Sequence, residues 1–123
     1  MHELGVASEV LRVCRASAGS GCARLERVTL AVGELSAVEP DLLRFAWEAA
    51  TAGSPDAGAV LEIEWRPARQ VCEACGDIAE RATGSWLRLC PRCERPLRVE
   101  GGQELDVLHL SYEERETPAD RLP

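Results

Sequence analysis

The chain has 123 residues, 46% of them hydrophobic, and a formal net charge of −7. That length suits one domain, or a small domain carrying a stapled module, and the negative charge argues against nucleic-acid binding, which rests on neutralising phosphates. All 14 basic residues are arginines, so lysine chemistry is excluded and any nucleotide-driven step falls to a partner.

No apolar run approaches the ~18 residues of a membrane span. Residues 1–10, MHELGVASEV, lack the basic-then-apolar pattern of a secretory leader. The expected location is therefore cytoplasmic. Charge is unevenly placed: Arg66 to Arg98 holds seven arginines against Glu73, Asp77, Glu80 and Glu94, whereas the rest holds seven arginines against seventeen acids. Two modules with different surroundings are implied.

In chain order, Leu4, Ala7, Leu11, Cys14 and Ala18 recur at helical spacing, with Val6, Val10 and Val13 widening the apolar face. This predicts an amphipathic helix from about residue 2 to the AGSG stretch at 18–21. LERVTLAVGEL (25–35) alternates like a strand closed by Gly33. Pro40, flanked by Glu39 and Asp41, marks a second helix start. On it Leu42, Phe45, Ala46 and Ala49 form the apolar stripe, with Leu43 and Trp47 beside it and Gly53 at the end. AVLEIEWRP (59–67) and ELDVLHLSYEE (104–114) read as two further strands, and the polar RETPADRLP tail reads as frayed.

The resulting expectation is an α+β fold: two helices packed on a small three-stranded sheet, with an inserted zinc-ribbon-like four-cysteine module. Residues 1–67 plus 101–114 form the α/β domain, 68–100 the cysteine domain, and 115–123 a flexible tail.

The middle segment has little apolar periodicity, and its cysteines explain why. Cys72 and Cys75, then Cys90 and Cys93, give C-x2-C-x14-C-x2-C. Each pair grips a metal from one tight turn, and Gly76 permits the left-handed backbone that such turns use. Four thiolates make the closed tetrahedral set of structural Zn²⁺. The competing readings are two disulfides, disfavoured in a chain without a leader, and rubredoxin-like iron. The longer knuckle separation and aromatic-rich core of rubredoxin are missing, Trp86 being the one aromatic in the segment. Arg69, Arg88, Arg92 and Arg95 serve as counter-charges to the thiolates. A closed site of this kind builds structure and leaves no position for substrate. Cys14 falls on the first helix's core face, and Cys22 reads as a loop thiol without function.

His2 is one of two histidines. Initiator Met is retained before a bulky residue, so the α-amine, the His2 backbone nitrogen and the His2 imidazole lie within one residue of each other. Amine and amide close a five-membered chelate ring, amide and imidazole a six-membered one. All-nitrogen chelation suits Ni²⁺ or Cu²⁺, and affinity rises with pH because protons must leave. Glu3 offers a further ligand or simply complements the helix N-terminus. His109 shares a strand side with Leu105 and Val107 if alternation is regular, and reads as a partly buried imidazole.

Taken together, the terminal M-H-E, VGELSAVEP (32–40), LRFAWEAATAGSP (43–55), GAVLEIEW (58–65), the paired knuckles and GGQEL (101–105) resemble the HypA/HybF family of hydrogenase nickel-insertion proteins. The resemblance implies a nickel metallochaperone, not an enzyme. It carries Ni²⁺ as cargo on Met1, His2 and Glu3, with Zn²⁺ held by Cys72, Cys75, Cys90 and Cys93. The implied partners are a maturation GTPase and the [NiFe]-hydrogenase large subunit, with urease maturation added in some members; monomers and homodimers both occur. A zinc-ribbon protein-interaction adaptor without metal transfer is the alternative. Two departures stand out. Glu94 replaces the glycine usual after the second knuckle, and no histidine lies between residues 66 and 100.

Overall fold

In the computed structural model, residues 2–81 and 86–115 are described. Helix α1 spans His2–Ala18, β1 Cys22–Gly33, α2 Pro40–Thr51, β2 Val60–Arg66, β3 Arg69–Cys72, β4 Gly76–Ile78, β5 Leu97–Glu100 and β6 Leu105–Glu114. They form two three-stranded sheets, ordered β2-β1-β6 and β4-β3-β5. The central strand β1 runs parallel to β2, through the α2 crossover, and antiparallel to β6. Both helices lie against the first sheet, and the second sheet is inserted between β2 and β6. Among the described residues, no helix is long and apolar enough to cross a membrane.

The first core joins Ala7, Val10 and Cys14 of α1 to Leu25, Val28, Leu30 and Val32 of β1 and Leu43, Ala46 and Trp47 of α2. Helix α1 begins with Glu3 in its first turn and carries Arg15 in its last, both signs suited to the macrodipole. Gly19 ends it at φ 81°, donating its N–H to the Arg15 carbonyl at 3.0 Å. Asp56, 2% exposed, ties three segments together. It accepts two bonds from the Arg15 guanidinium at 2.8 and 2.9 Å and one from the Leu25 N–H at 2.8 Å.

Three expectations are corrected. On α2 the buried face is Leu43, Ala46, Trp47 and Thr51, while Leu42 and Phe45 are 55% and 74% exposed. The helix has adjacent apolar faces, and the core takes the one whose Trp47 indole N–H reaches the Ala59 carbonyl at 2.9 Å. Cys22 is not a loop thiol; it opens β1 and is 1% exposed. His109 is exposed and faces away from Leu105 and Val107. Leu30 pairs with Val107 but Thr29 pairs with His109, so an extra residue bulges β6 there. One inserted residue reverses the side-chain parity beyond it.

The middle segment is more regular than its periodicity suggested. Its small sheet packs Ile78 with Cys72 and Cys90, flanked by Leu87 and Leu97. Gln70, 1% exposed, pins it: the side-chain amide donates to the Ile78 and Glu80 carbonyls, and its oxygen accepts from Leu87 N–H at 2.7 Å. Of the expected tail, Arg115 donates its N–H to the Gly21 carbonyl at 2.5 Å, and residues 116–123 lie outside the described residues.

Candidate metal centres

Two sites come from opposite kinds of local structure. The first is a pair of tight turns. Cys72 ends β3, Cys75 lies in the turn leading to β4, and Gly76 follows at φ 82°. Across the module Cys90 and Cys93 sit in a second turn, closed by Glu94 N–H to the Cys90 carbonyl at 2.9 Å and Cys90 N–H to the Arg95 carbonyl at 2.8 Å. Glu94 occupies the left-handed region at φ 64°, the conformation a glycine in its place adopts freely.

The four sulfurs lie within 4.8 Å of one another, with Cys72 and Cys93 at 3.5 Å, and all six cysteines of the chain are free thiols. A tetrahedral Zn²⁺ with bonds of about 2.3 Å places its sulfurs roughly 3.8 Å apart, so the donor set and its size fit that ion. Cys72 and Cys90 are buried, Cys75 and Cys93 exposed. The N–H of Cys75 draws the Cys72 thiol down to about 6, whereas the Cys93 and Cys90 sulfurs push Cys75 upward. Sulfurs this close resist losing all their protons without a cation among them. Of the arginines expected as counter-charges, Arg69 is engaged by Asp77 and Glu100 and Arg92 by Glu80.

The second site is the N-terminal tip of α1. Met1 lies outside the described residues. The His2 side chain is 54% exposed, with Nδ1 3.8 Å from a Glu3 carboxylate oxygen. His2 stands at the helix start, where backbone N–H groups have no intrahelical acceptor. Glu3 is more ordered than the sequence suggested. Its carboxylate accepts the Glu39 N–H at 3.2 Å, which is the main reason its carboxyl titrates below the usual range. Glu39 in turn caps α2, its own carboxylate accepting the Leu42 N–H at 2.9 Å. The role of the Glu39 amide is invisible in sequence, because a backbone donor carries no residue signature. His109 lies on the face of the first sheet turned away from this tip.

A family model described as HypA, hydrogenase/urease nickel incorporation, metallochaperone, matches residues 1–112. The chain is 39% identical over 114 residues to the hydrogenase maturation factor HypA of Geobacter metallireducens, covering 92% of this chain and 100% of that protein. It is 38% identical to the Roseiflexus counterpart, covering 96% of each. In structure it is similar to a solution structure of a HypA protein at TM-score 0.61 and 25% identity, over 92% of this chain and 97% of the other. The fold also matches the Ni metallochaperone HypA of Helicobacter pylori, at TM-score 0.57 and 24% identity, over 89% and 96% of the two chains. Matched by the family model from its first residue to residue 112, and by full-length relatives at this identity, the chain belongs to the HypA family.

Proposed function

We propose that this protein is a nickel metallochaperone serving [NiFe]-hydrogenase maturation, a carrier and not a catalyst, with Ni²⁺ as cargo on Met1, His2 and Glu3. The observation that carries the reading is the exposed His2 imidazole at an unpaired helix N-terminus, in a chain of the HypA family. The α-amine, the His2 amide nitrogen and the imidazole form fused five- and six-membered rings, a geometry suited to Ni²⁺. The amide proton can leave without breaking the helix ladder, because the first-turn N–H groups are not part of it. Glu3 is already engaged by the Glu39 N–H, so it enters the nickel shell only by exchanging that bond. An exposed chelate surrenders its ion by ligand exchange to a partner; a buried cage would trap it.

Cys72, Cys75, Cys90 and Cys93 would hold a structural Zn²⁺, which when bound supplies the positive charge that lets four close thiolates coexist. Around it the chain supplies the turns: the Arg92 N–H points at the Cys90 sulfur at 3.4 Å. We assign residues 1–67 plus 101–114 to the nickel-carrying unit and 68–100 to the zinc unit. The partners consistent with this reading are a maturation GTPase, since the chain has no phosphate-loop lysine, and the hydrogenase large subunit, in the cytoplasm. The test is His2→Ala. Nickel binding measured by calorimetry should fall at least tenfold while zinc stays near one per chain by elemental analysis. Nickel binding equal to wild type refutes the assignment.

A further inference from the structure

The body and the cysteine module are joined by a side-chain ion pair that neither metal site uses. Gly33 ends β1, and Glu34 follows it, at the junction where the chain leaves for the cysteine module and returns from it. Gly33 N–H donates to the Glu104 carbonyl at 2.7 Å, Glu34 N–H to the Arg66 carbonyl at 2.9 Å, and Leu35 N–H to the Gly102 carbonyl at 2.5 Å. The packing is backbone on backbone. A Cβ on Gly33 would fall inside the Gly102 carbonyl, and one on Gly102, itself at φ 80°, would lie 2.6 Å from the Ala68 Cβ.

From this junction the Glu34 side chain reaches into the module. One carboxylate oxygen accepts the Ala68 N–H at 3.0 Å, and the pair accepts the Arg81 guanidinium at 2.6 and 3.2 Å. Arg81 also donates to the Ala68 carbonyl at 2.9 Å and lies over the Trp86 ring with 3.7 Å to its centroid. All four residues are mutually fixed: Glu34 belongs to the body, and Ala68, Arg81 and Trp86 to the 68–100 segment. A planar, bidentate guanidinium with one face on an aromatic ring has little freedom to reorient.

The other end of the same loop reaches the nickel tip. Between Glu34 and Glu39 the backbone is braced by Ser36, whose hydroxyl donates to the Gly33 carbonyl at 2.8 Å and accepts the Val38 N–H at 3.2 Å. Ala37 is held at φ 63° and Val38 is 5% exposed. The loop closes with the Glu39 N–H on the Glu3 carboxylate. Six residues therefore span from the module's arginine to the residue beside His2.

We propose that Glu34 is a positioning residue: through Arg81 it sets the orientation of the cysteine module on the α/β body, and through its loop it holds the Glu39 amide against Glu3. The pair is the one ion pair, among the described residues, that joins a residue of the first helix-and-sheet unit to a residue of the 68–100 segment. Arg69 and Arg98 pair with acids inside that segment, and Arg15, Arg24 and Arg27 pair inside the body. With the pair removed, the two linkers and their backbone bonds remain, so the module stays attached and folded but loses its fixed angle. The inference does not depend on which metal His2 takes.

The experiment is solution NMR on the full-length protein as purified, in wild type, Glu34→Gln, Arg81→Ala and Arg69→Ala. Residual dipolar couplings from the two sheets should fit one common alignment tensor in wild type and in R69A. In E34Q and R81A they should require two tensors, and the Glu39 amide proton should move upfield as its bond to Glu3 loosens. A purely local structural role would lower stability without moving either readout. One common tensor in R81A overturns the proposal, as does a two-tensor fit in R69A. If E34Q fails to fold, R81A alone decides, because Arg81 lies at the surface outside both cores.

Discussion

Glu94 shows how a single side chain departs from what its backbone asks for. At φ 64° it lies where a Cβ costs roughly 1 kcal/mol, directly after Cys93 of the sulfur tetrad. Glu94→Gly should therefore raise the thermal stability of the cysteine module by about 1 kcal/mol, diminished by the extra freedom glycine brings to the unfolded chain. Differential scanning calorimetry would show it as a higher transition temperature; a lower one would mean that Glu94 makes a contact worth more than the strain. Glu34 carries the other residue-scale prediction. Its carboxyl is held below 4.5 chiefly by the Arg81 guanidinium. A carboxyl depressed in the folded state contributes stability that is fully present above its ordinary value and lost as pH falls through its folded value. The urea midpoints of wild type and Glu34→Gln should accordingly differ at neutral pH and converge as the solution is acidified below 4.5. A gap that is constant with pH would exclude the carboxylate as its source.

Among the elements, α2 and β6 separate what pattern reveals from what packing decides. The α2 sequence carries apolar residues on two neighbouring faces, and both are compatible with helical period. Only the tertiary position of Ala59, which accepts the Trp47 indole, selects between them. Trp47→Ala should cost about 3–5 kcal/mol in denaturant unfolding, whereas Phe45→Ala, at a 74% exposed position, should stay within roughly 0.5 kcal/mol. Comparable losses at both would restore the face read from sequence. In β6 the alternation is intact on each side of the bulge, and the parity change leaves no mark in the residue types. The helix starts, by contrast, were legible. Glu3 and Pro40 stand where an N-terminus wants an acid and a pre-set φ, and α1 and α2 begin at His2 and Pro40. Gly33 was legible as a strand end, though its closer reason, backbone contact with Gly102, was not.

For the whole molecule, the cysteine spacing exposed the most and hydrophobicity the least. Four sulfurs at C-x2-C spacing specify a tetrad by local geometry, so their convergence within 4.8 Å could be read before any fold was known. The second sheet around them has few apolar side chains and left almost no periodic signal. Its order rests on the tetrad, Gln70 and the small cluster of Ile78, Leu87 and Leu97. Metal removal should therefore act unequally across the molecule. On treatment with a strong chelator, amide resonances of residues 69–100 should collapse toward unfolded positions, while those of β1 and β2 keep their dispersion. Loss of both at once would mean that the two sheets fold as a single unit.

The central claim, that nickel is held by the free amine and His2 at the tip of α1, is tested most directly by one comparison. Nickel titration of the native chain is set against that of the same chain acetylated at the Met1 amine, with zinc content measured in both. Acetylation leaves the helix, His2 and the cysteine tetrad in place and removes only the chelating amine. Nickel affinity should fall at least tenfold with zinc unchanged near one per chain. Equal nickel affinity in the two chains would contradict the account.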